Sequence, residues 1–200
     1  MTKPIIAIDI DDVLVDSATA TLAAYNAAWG TTATLADYYT KPDPLVWRTD
    51  NMQEVVERVH VYQASPAFFE LLPIQEAIAG MRQLAKHYEL HAVTGRWDLI
   101  MEPTQLWLDQ HFPETFASLT SVNFFHSDKS RSKGDICLEL GASYLIDDHL
   151  KHCVSVADAG LEAVLFGNYP WNAADELPAG ITRCDSWTDV LEYFDARVPA

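Results

Sequence analysis

Short apolar stretches punctuate the chain. Ile5–Ile8, Leu90–Val93, Val122–Phe125, Tyr144–Ile146 and Ala163–Phe166 are rich in aliphatic and aromatic residues. Strands covered on both faces lose the in–out alternation and read as near-continuous apolar runs, so these five segments predict buried strands. Helical periods lie between them. Ile74–His87 puts Ile74, Ala77, Ile78, Met81, Leu84 and Ala85 on one stripe, and Glu102–His111 has Pro103 in its first turn. Ser132–Leu140 starts with the Ser132/Asp135 spacing of a capping box and ends at Gly141. His149–Ala159 ends at Gly160, and Ser186–Phe194 is the last helical pattern. Strands alternating with helices predict an α/β fold, a three-layer Rossmann-like parallel sheet. From Ser17 to Pro73 there is no convincing strand. Helical patterns at Ala18–Trp29 and Met52–Gln63 flank the turn-rich YYTKPDPLVWRTDN, Tyr38 to Asn51. This predicts a small helical cap at 17–73, inserted after the first strand into a core formed by 1–16 and 74–200.

Charge changes the picture. The net charge of −16 argues against a nucleic-acid polymer as partner, which would need Lys/Arg patches. A small phosphorylated ligand stays open, because a bound divalent cation reverses the sign locally. No apolar run approaches the ~18 residues of a membrane span, and the N-terminal run is too short for a signal peptide. A cytoplasmic location is expected, with oligomeric state open and a homodimer one option. Cys137, Cys153 and Cys184 are scattered, without a CxxC pair, and read as buried thiols.

The first strand ends in Asp9, Asp11, Asp12 and Asp16. Ligands of open α/β sheets bind beyond the carboxyl ends of the strands, where Asp9 and Asp11 fall. Two carboxylates ~4 Å apart repel by ~4 kcal/mol at an effective dielectric near 20, so a proton, a Lys or a metal must offset them. SYLIDDHL ends another strand in Asp147 and Asp148. That pair alone reads equally as a helix N-cap. Together the two strand ends form a hard oxygen site suited to Mg²⁺. HAVTGR ends its strand in Thr94 and Gly95, which can donate to phosphate oxygens, although TGR is also an ordinary turn. Lys133 opposes the dipole of its own helix, a mismatch that a bound phosphate would offset; Lys129 is the competing candidate.

Asp-x-Asp, Thr, Lys and Asp-Asp, each at a strand end or helix start, resemble the haloacid dehalogenase-like (HAD) hydrolase superfamily over nearly the whole chain. DIDDVLVDS, FFELLPIQEA and the modest helical cap look like its 5′(3′)-deoxyribonucleotidase-like group. The resemblance implies Asp9 as nucleophile, forming an aspartyl-phosphate, and Asp11 as general acid and base. It implies Mg²⁺ on Asp9, the backbone carbonyl of Asp11 and Asp147, with Asp148 supporting that shell. Thr94 and Lys133 would bind the phosphoryl group. Two departures bear on the substrate: Gly95 and Arg96 stand where a hydroxyl residue and Pro usually follow the Thr, and His149 and Leu150 where an Arg often follows the Asp-Asp. The expected activity is phosphomonoester hydrolysis on a nucleoside 5′-monophosphate, with another small organic phosphate, such as a sugar phosphate, or a non-catalytic phospholigand-binding role as alternatives. A receiver domain fits less well, because a helical cap stands where its phospho-acceptor strand belongs and the later Asp-Asp is left unexplained. No HxH or HExxH spacing occurs, so a His-based metal site is not indicated; His149 is the one His next to the proposed site. Arg96 and Trp97 are candidates for the pocket mouth. Among the cap aromatics, Tyr38, Tyr39, Trp47, Tyr62, Phe68 and Phe69, the irregular setting of Trp47 suggests a stacking platform for a base.

Overall fold

The computed structural model describes residues 2–122 and 131–198. In chain order the elements are β1 (Ile5–Ile8), α1 (Ser17–Trp29), α2 (Pro44–Trp47), α3 (Met52–Gln63), α4 (Pro66–Phe69), α5 (Gln75–Leu84), β2 (Glu89–Thr94), α6 (Met101–His111), β3 (Phe116–Ser121), α7 (Lys133–Leu140), β4 (Tyr144–Asp147), α8 (Leu150–Asp158), β5 (Glu162–Phe166), β6 (Ile181–Cys184) and α9 (Trp187–Asp195).

The strands pair in the order β3-β2-β1-β4-β5-β6, all parallel. Their side chains divide the core by period two. Ile6, Ile8, Leu90, Ala92, Ile146 and Val164 meet α5, α6 and α9 on one face. Ala7, Val93, Leu145, Ala163 and Leu165 meet α7 and α8 on the other. This is the three-layer arrangement expected from the pattern. No helix among the described residues is long and apolar enough to cross a membrane.

Two strands differ from expectation. β3 lies at Phe116–Ser121, and Val122 falls just past its end, where its N–H donates to the Thr94 carbonyl. The rest of the expected strand, 123–125, lies outside the described residues, as does Lys129. β3 is an edge strand of mostly half-buried residues, and FASLTS has too little apolar character to attract a strand assignment. β6 was not anticipated, because ITRC at the other edge buries only Ile181 and Cys184.

Between β1 and α5, the described residues carry helices and turns and no named strand. Leu22, Tyr25, Ala33, Trp47 and Val55 form a hydrophobic cluster of their own there. The stretch expected to be irregular contains α2: Asp43 accepts from the Leu45 N–H, and Pro44 opens the helix. Trp47 is consequently buried, edge-on to Tyr25 at 5.0 Å, with its carbonyl accepting from the Tyr25 hydroxyl and from Arg58. It is a packing residue of this cluster that borders the cavity described next, not a free platform.

Candidate active site

β1 and β4 are neighbours, and the chain winds outward from them in opposite directions. Such a reversal opens a crevice at the strand ends. Asp9 and Asp147 stand there side by side, with the Asp9 N–H donating to the Ile146 carbonyl at 2.9 Å. Carboxylate oxygens of Asp9, Asp147 and Asp148 all lie within 4.8 Å of one another, and all three residues are buried.

The turn after β1 divides the work of its acids. Asp12, at φ 58, aims its carboxylate at the start of α1, accepting from the Ala18 N–H and the Ser17 hydroxyl; burial pushes its carboxyl up to about 8. Asp16 caps the same helix through the Thr19 N–H. Asp9 and Asp11 line the cavity, and Asp12 borders it.

α7 begins as expected, with Ser132 and Asp135 closing a capping box. Lys133 follows at the first helical position, fully buried, its Nζ 2.9 Å from Asp9 and 2.6 Å from Asp147. Among the described residues, Lys133 is the lysine paired with Asp9 and Asp147. Its ammonium is held charged: burial alone would lower its pKa, but Asp147 and Asp9 raise it above the usual value. Asp147 is pulled the other way, its burial overcome by Lys133 and by the His149 N–H that it accepts. Burial pushes Asp9 up to about 7, against Lys133 and with help from Asp147 and Asp11. Burial, with Asp147, Asp9 and Asp12 nearby, raises Asp148 well above the carboxylate range, and its Oδ2 accepts from the Trp171 indole at 2.7 Å. One ammonium is not enough to keep all three carboxyls ionised, which is why Asp9 and Asp148 hold their protons so strongly; a second cation would let them ionise. The donors are hard oxygens, so the cluster fits Mg²⁺.

Arg96 and Trp97 both line the cavity, but the sequence did not show what Arg96 does there: it is buried and grips Asp11 with two hydrogen bonds, Nε to Oδ2 at 3.0 Å and Nη2 to Oδ1 at 2.8 Å. Burial would raise the Asp11 carboxyl, but this guanidinium holds it below the usual range. The grip accounts for Asp11's carboxylate being absent from the Asp9–Asp147–Asp148 cluster. The Thr94 hydroxyl, fully buried, accepts from the Arg96 N–H, and Gly95 lines the cavity.

Asp9, Asp11, Gly95, Arg96, Lys133 and Asp148 line a cavity of about 430 Å³, within the range of small-molecule sites, while Asp147 and Thr94 are fully buried and do not line it. Its walls include Trp97, stacked on His60 of α3 at 4.5 Å, and Tyr38 and Tyr39, which meet Trp171 at 5.8 and 5.5 Å. His149 caps α8 and packs edge-on against Tyr39.

The family model of the cytosolic type C 5′ nucleotidases, described as "5' nucleotidase, deoxy (Pyrimidine), cytosolic type C protein", matches residues 3–198. No curated protein matches the chain. Among solved structures, a haloacid dehalogenase-like family hydrolase from Streptococcus pneumoniae superposes with a TM-score of 0.68 at 16% identity, covering 96% of this chain and 98% of that one. One from Xanthomonas campestris gives 0.58 at 14%, covering 98% of each chain. A HAD-superfamily hydrolase of subfamily IA from Geobacter sulfurreducens gives 0.59 at 16%, covering 96% of each. Likenesses at such identities establish the shared α/β fold. With the family match spanning nearly its full length, this chain belongs to the cytosolic type C 5′ nucleotidase family of HAD-like hydrolases.

Proposed function

We propose that the chain is a Mg²⁺-dependent phosphomonoester hydrolase acting on nucleoside 5′-monophosphates. The observation that carries the reading is the buried Asp9–Lys133–Asp147 array, with Asp148 beside it, whose Asp9, Lys133 and Asp148 line the cavity. Asp9, the backbone carbonyl of Asp11 and Asp147 would hold the ion, with Asp148 supporting them. Bound there, Mg²⁺ would neutralise charge on the phosphoryl oxygens. The protein's groups supply the rest. An Asp9 oxygen forms the bond to phosphorus as the ester P–O bond breaks, giving an aspartyl-phosphate. Asp11 gives a proton to the leaving oxygen and later takes one from the water that hydrolyses the intermediate. An ammonium has three donors; two of those of Lys133 face Asp9 and Asp147, and the third is available to a phosphoryl oxygen. Thr94 and Gly95 complete that cradle.

We read α1–α4 as the cap over this floor. The family match and the aromatic walls support a nucleoside on the phosphate, and the family's cytosolic description supports a cytoplasmic location. The test is phosphate release from a panel of nucleoside monophosphates and sugar phosphates, with Mg²⁺ and with excess chelator. Nucleotides should be preferred and chelation should abolish release. Equal kcat/KM on sugar phosphates would move the substrate to small organic phosphates in general, and full activity in chelator would remove the metal from the mechanism.

A further inference from the structure

Arg96 spends its whole guanidinium inside the protein. Nε and Nη2 hold both oxygens of Asp11, and Nη1 donates to the Thr104 hydroxyl at 3.2 Å. Thr104 is fully buried and anchored by donating to the Ile100 carbonyl at 2.7 Å. The Phe68 ring lies 4.7 Å from the guanidinium carbon, and the Arg96 backbone is tied at both ends, by the Thr94 hydroxyl and by the Ser121 hydroxyl. The Asp11 side chain it grips is a quarter exposed and faces the cavity. Such a fork fixes orientation as well as charge, because a planar guanidinium matches a carboxylate only in one relative geometry.

We propose that Arg96 is the positioning residue for Asp11, holding its carboxyl apart from the Asp9–Asp147–Asp148 cluster and in the orientation that exchanges a proton with the leaving oxygen. The inference rests on the nucleophile and acid–base reading above. Both Asp11 oxygens accept from Arg96 in the free site, so Asp11 starts ionised; it takes up the proton of the incoming phosphate monoanion, which frees one arm of the fork while the other arm keeps the carboxyl in place. As the Asp9 oxygen bonds to phosphorus, the electron pair of the breaking P–O bond stays on the leaving oxygen, which takes that proton from Asp11. A residue that only supports the fold, or only binds phosphate, would act alike on every ester. A positioning residue for the proton acts on esters whose leaving group needs one.

The test compares a nucleoside monophosphate, which leaves as a basic alkoxide, with p-nitrophenyl phosphate, whose phenolate leaves without a proton. General acid catalysis is worth roughly 10²–10⁴-fold, so Arg96→Gln should cost about 30-fold or more in kcat on the nucleotide and only about 3-fold on the aryl ester. Arg96→Lys, which keeps the charge but loses the fork, should show the same selectivity in weaker form. Thr104→Val, which frees Nη1 without touching Asp11, should do so more weakly still, and these two carry the test if Arg96→Gln does not fold. In an Asp11→Asn background, adding Arg96→Lys should bring no further selective loss. Equal losses on both esters in every variant that folds would overturn the positioning role and leave the phosphatase reading intact. A rise confined to KM would do the same, pointing to phosphate binding. A wild-type protein that releases no phosphate from either ester would overturn both.

Discussion

Burying an ammonium between carboxylates costs several kcal/mol per ion in desolvation, and the Lys133 pairs offset it only while every partner is present. Lys133→Met leaves Asp9, Asp147 and Asp148 buried without their cation. The expected loss is about 3–5 kcal/mol, read from urea unfolding without divalent ions. Excess Mg²⁺ should recover more stability in this variant than it adds to wild type, because a ligand that binds only the folded state stabilises it by mass action. Equal Mg²⁺ effects on the two proteins would show that the carboxylates do not share a cation. Asp9→Asn is the opposite case: it removes one of three carboxylates that share one ammonium. It should abolish phosphate release, since an amide is no nucleophile, while leaving the metal-free thermal midpoint within a few degrees of wild type. Turnover near normal would sink the covalent mechanism. Asp9, Asp147 and Lys133 could be read from the sequence because each abuts a strand end or a cap with its own local signal. Arg96 could not: its partner Asp11 lies 85 positions away, and nothing local distinguishes an Arg that grips a carboxylate from one in a loop. Trp47 misled for a related reason. The Asp43–Pro44 start of a one-turn helix looks like the turn-rich loop around it, yet it is enough to bury the indole.

Lys133 is placed by the packing of whole helices. α7 lies so close to α8 that a Cβ on Gly134 would sit 2.3 Å from the Ser155 carbonyl oxygen, and the Gly134 N–H donates to the Ser155 hydroxyl. Neither partner atom can withdraw cheaply, so Gly134→Ala must push α7 outward and move Lys133, the residue before it. Overpacking of this kind costs ~1–3 kcal/mol. Phosphate release should fall with stability, by about tenfold or more if the shift costs the reaction ~1.4 kcal/mol. Gly141→Ala is the control at the other end of the helix. It meets nothing within 4 Å but requires a left-handed residue at φ +68, so it should cost ~1 kcal/mol of stability and leave kcat unchanged. If both variants lose kcat alike, the close approach of the helices is not what sets Lys133. The same physics governed which elements could be foreseen. β1, β4 and β5 are buried on both faces and announce themselves as apolar runs. β3 and β6 sit at the two edges, where half the side chains meet solvent, and so the first was placed too far along the chain and the second missed.

Across the whole molecule, the helical segment before α5 meets the rest of the protein over the cavity through aromatic contacts on two sides. His60 lies flat on Trp97, while Tyr38 and Tyr39 meet Trp171, which is itself stacked on Tyr169 at 4.6 Å. The second contact also touches the acidic cluster, because the Trp171 indole donates to Asp148. Position over the cavity and order in the carboxylates are thereby joined in one side chain. The two contributions can be separated. Trp171→Phe keeps a ring against Tyr38 and Tyr39 but removes the N–H, leaving one oxygen of a buried carboxylate without its donor. Losing a hydrogen bond to a charged group is worth ~1.5–3 kcal/mol, so Asp148 should shift and the Mg²⁺ concentration for half-maximal activity should change by about tenfold or more. KM for the nucleotide should hardly move. Trp171→Ala removes the ring as well, and should raise the nucleotide KM on top of the same Mg²⁺ effect. Mg²⁺ titrations at saturating nucleotide, paired with KM at saturating Mg²⁺, check both. An unchanged Mg²⁺ requirement in Trp171→Phe would mean that Asp148 is held without the indole, and that the aromatic wall serves the nucleotide alone.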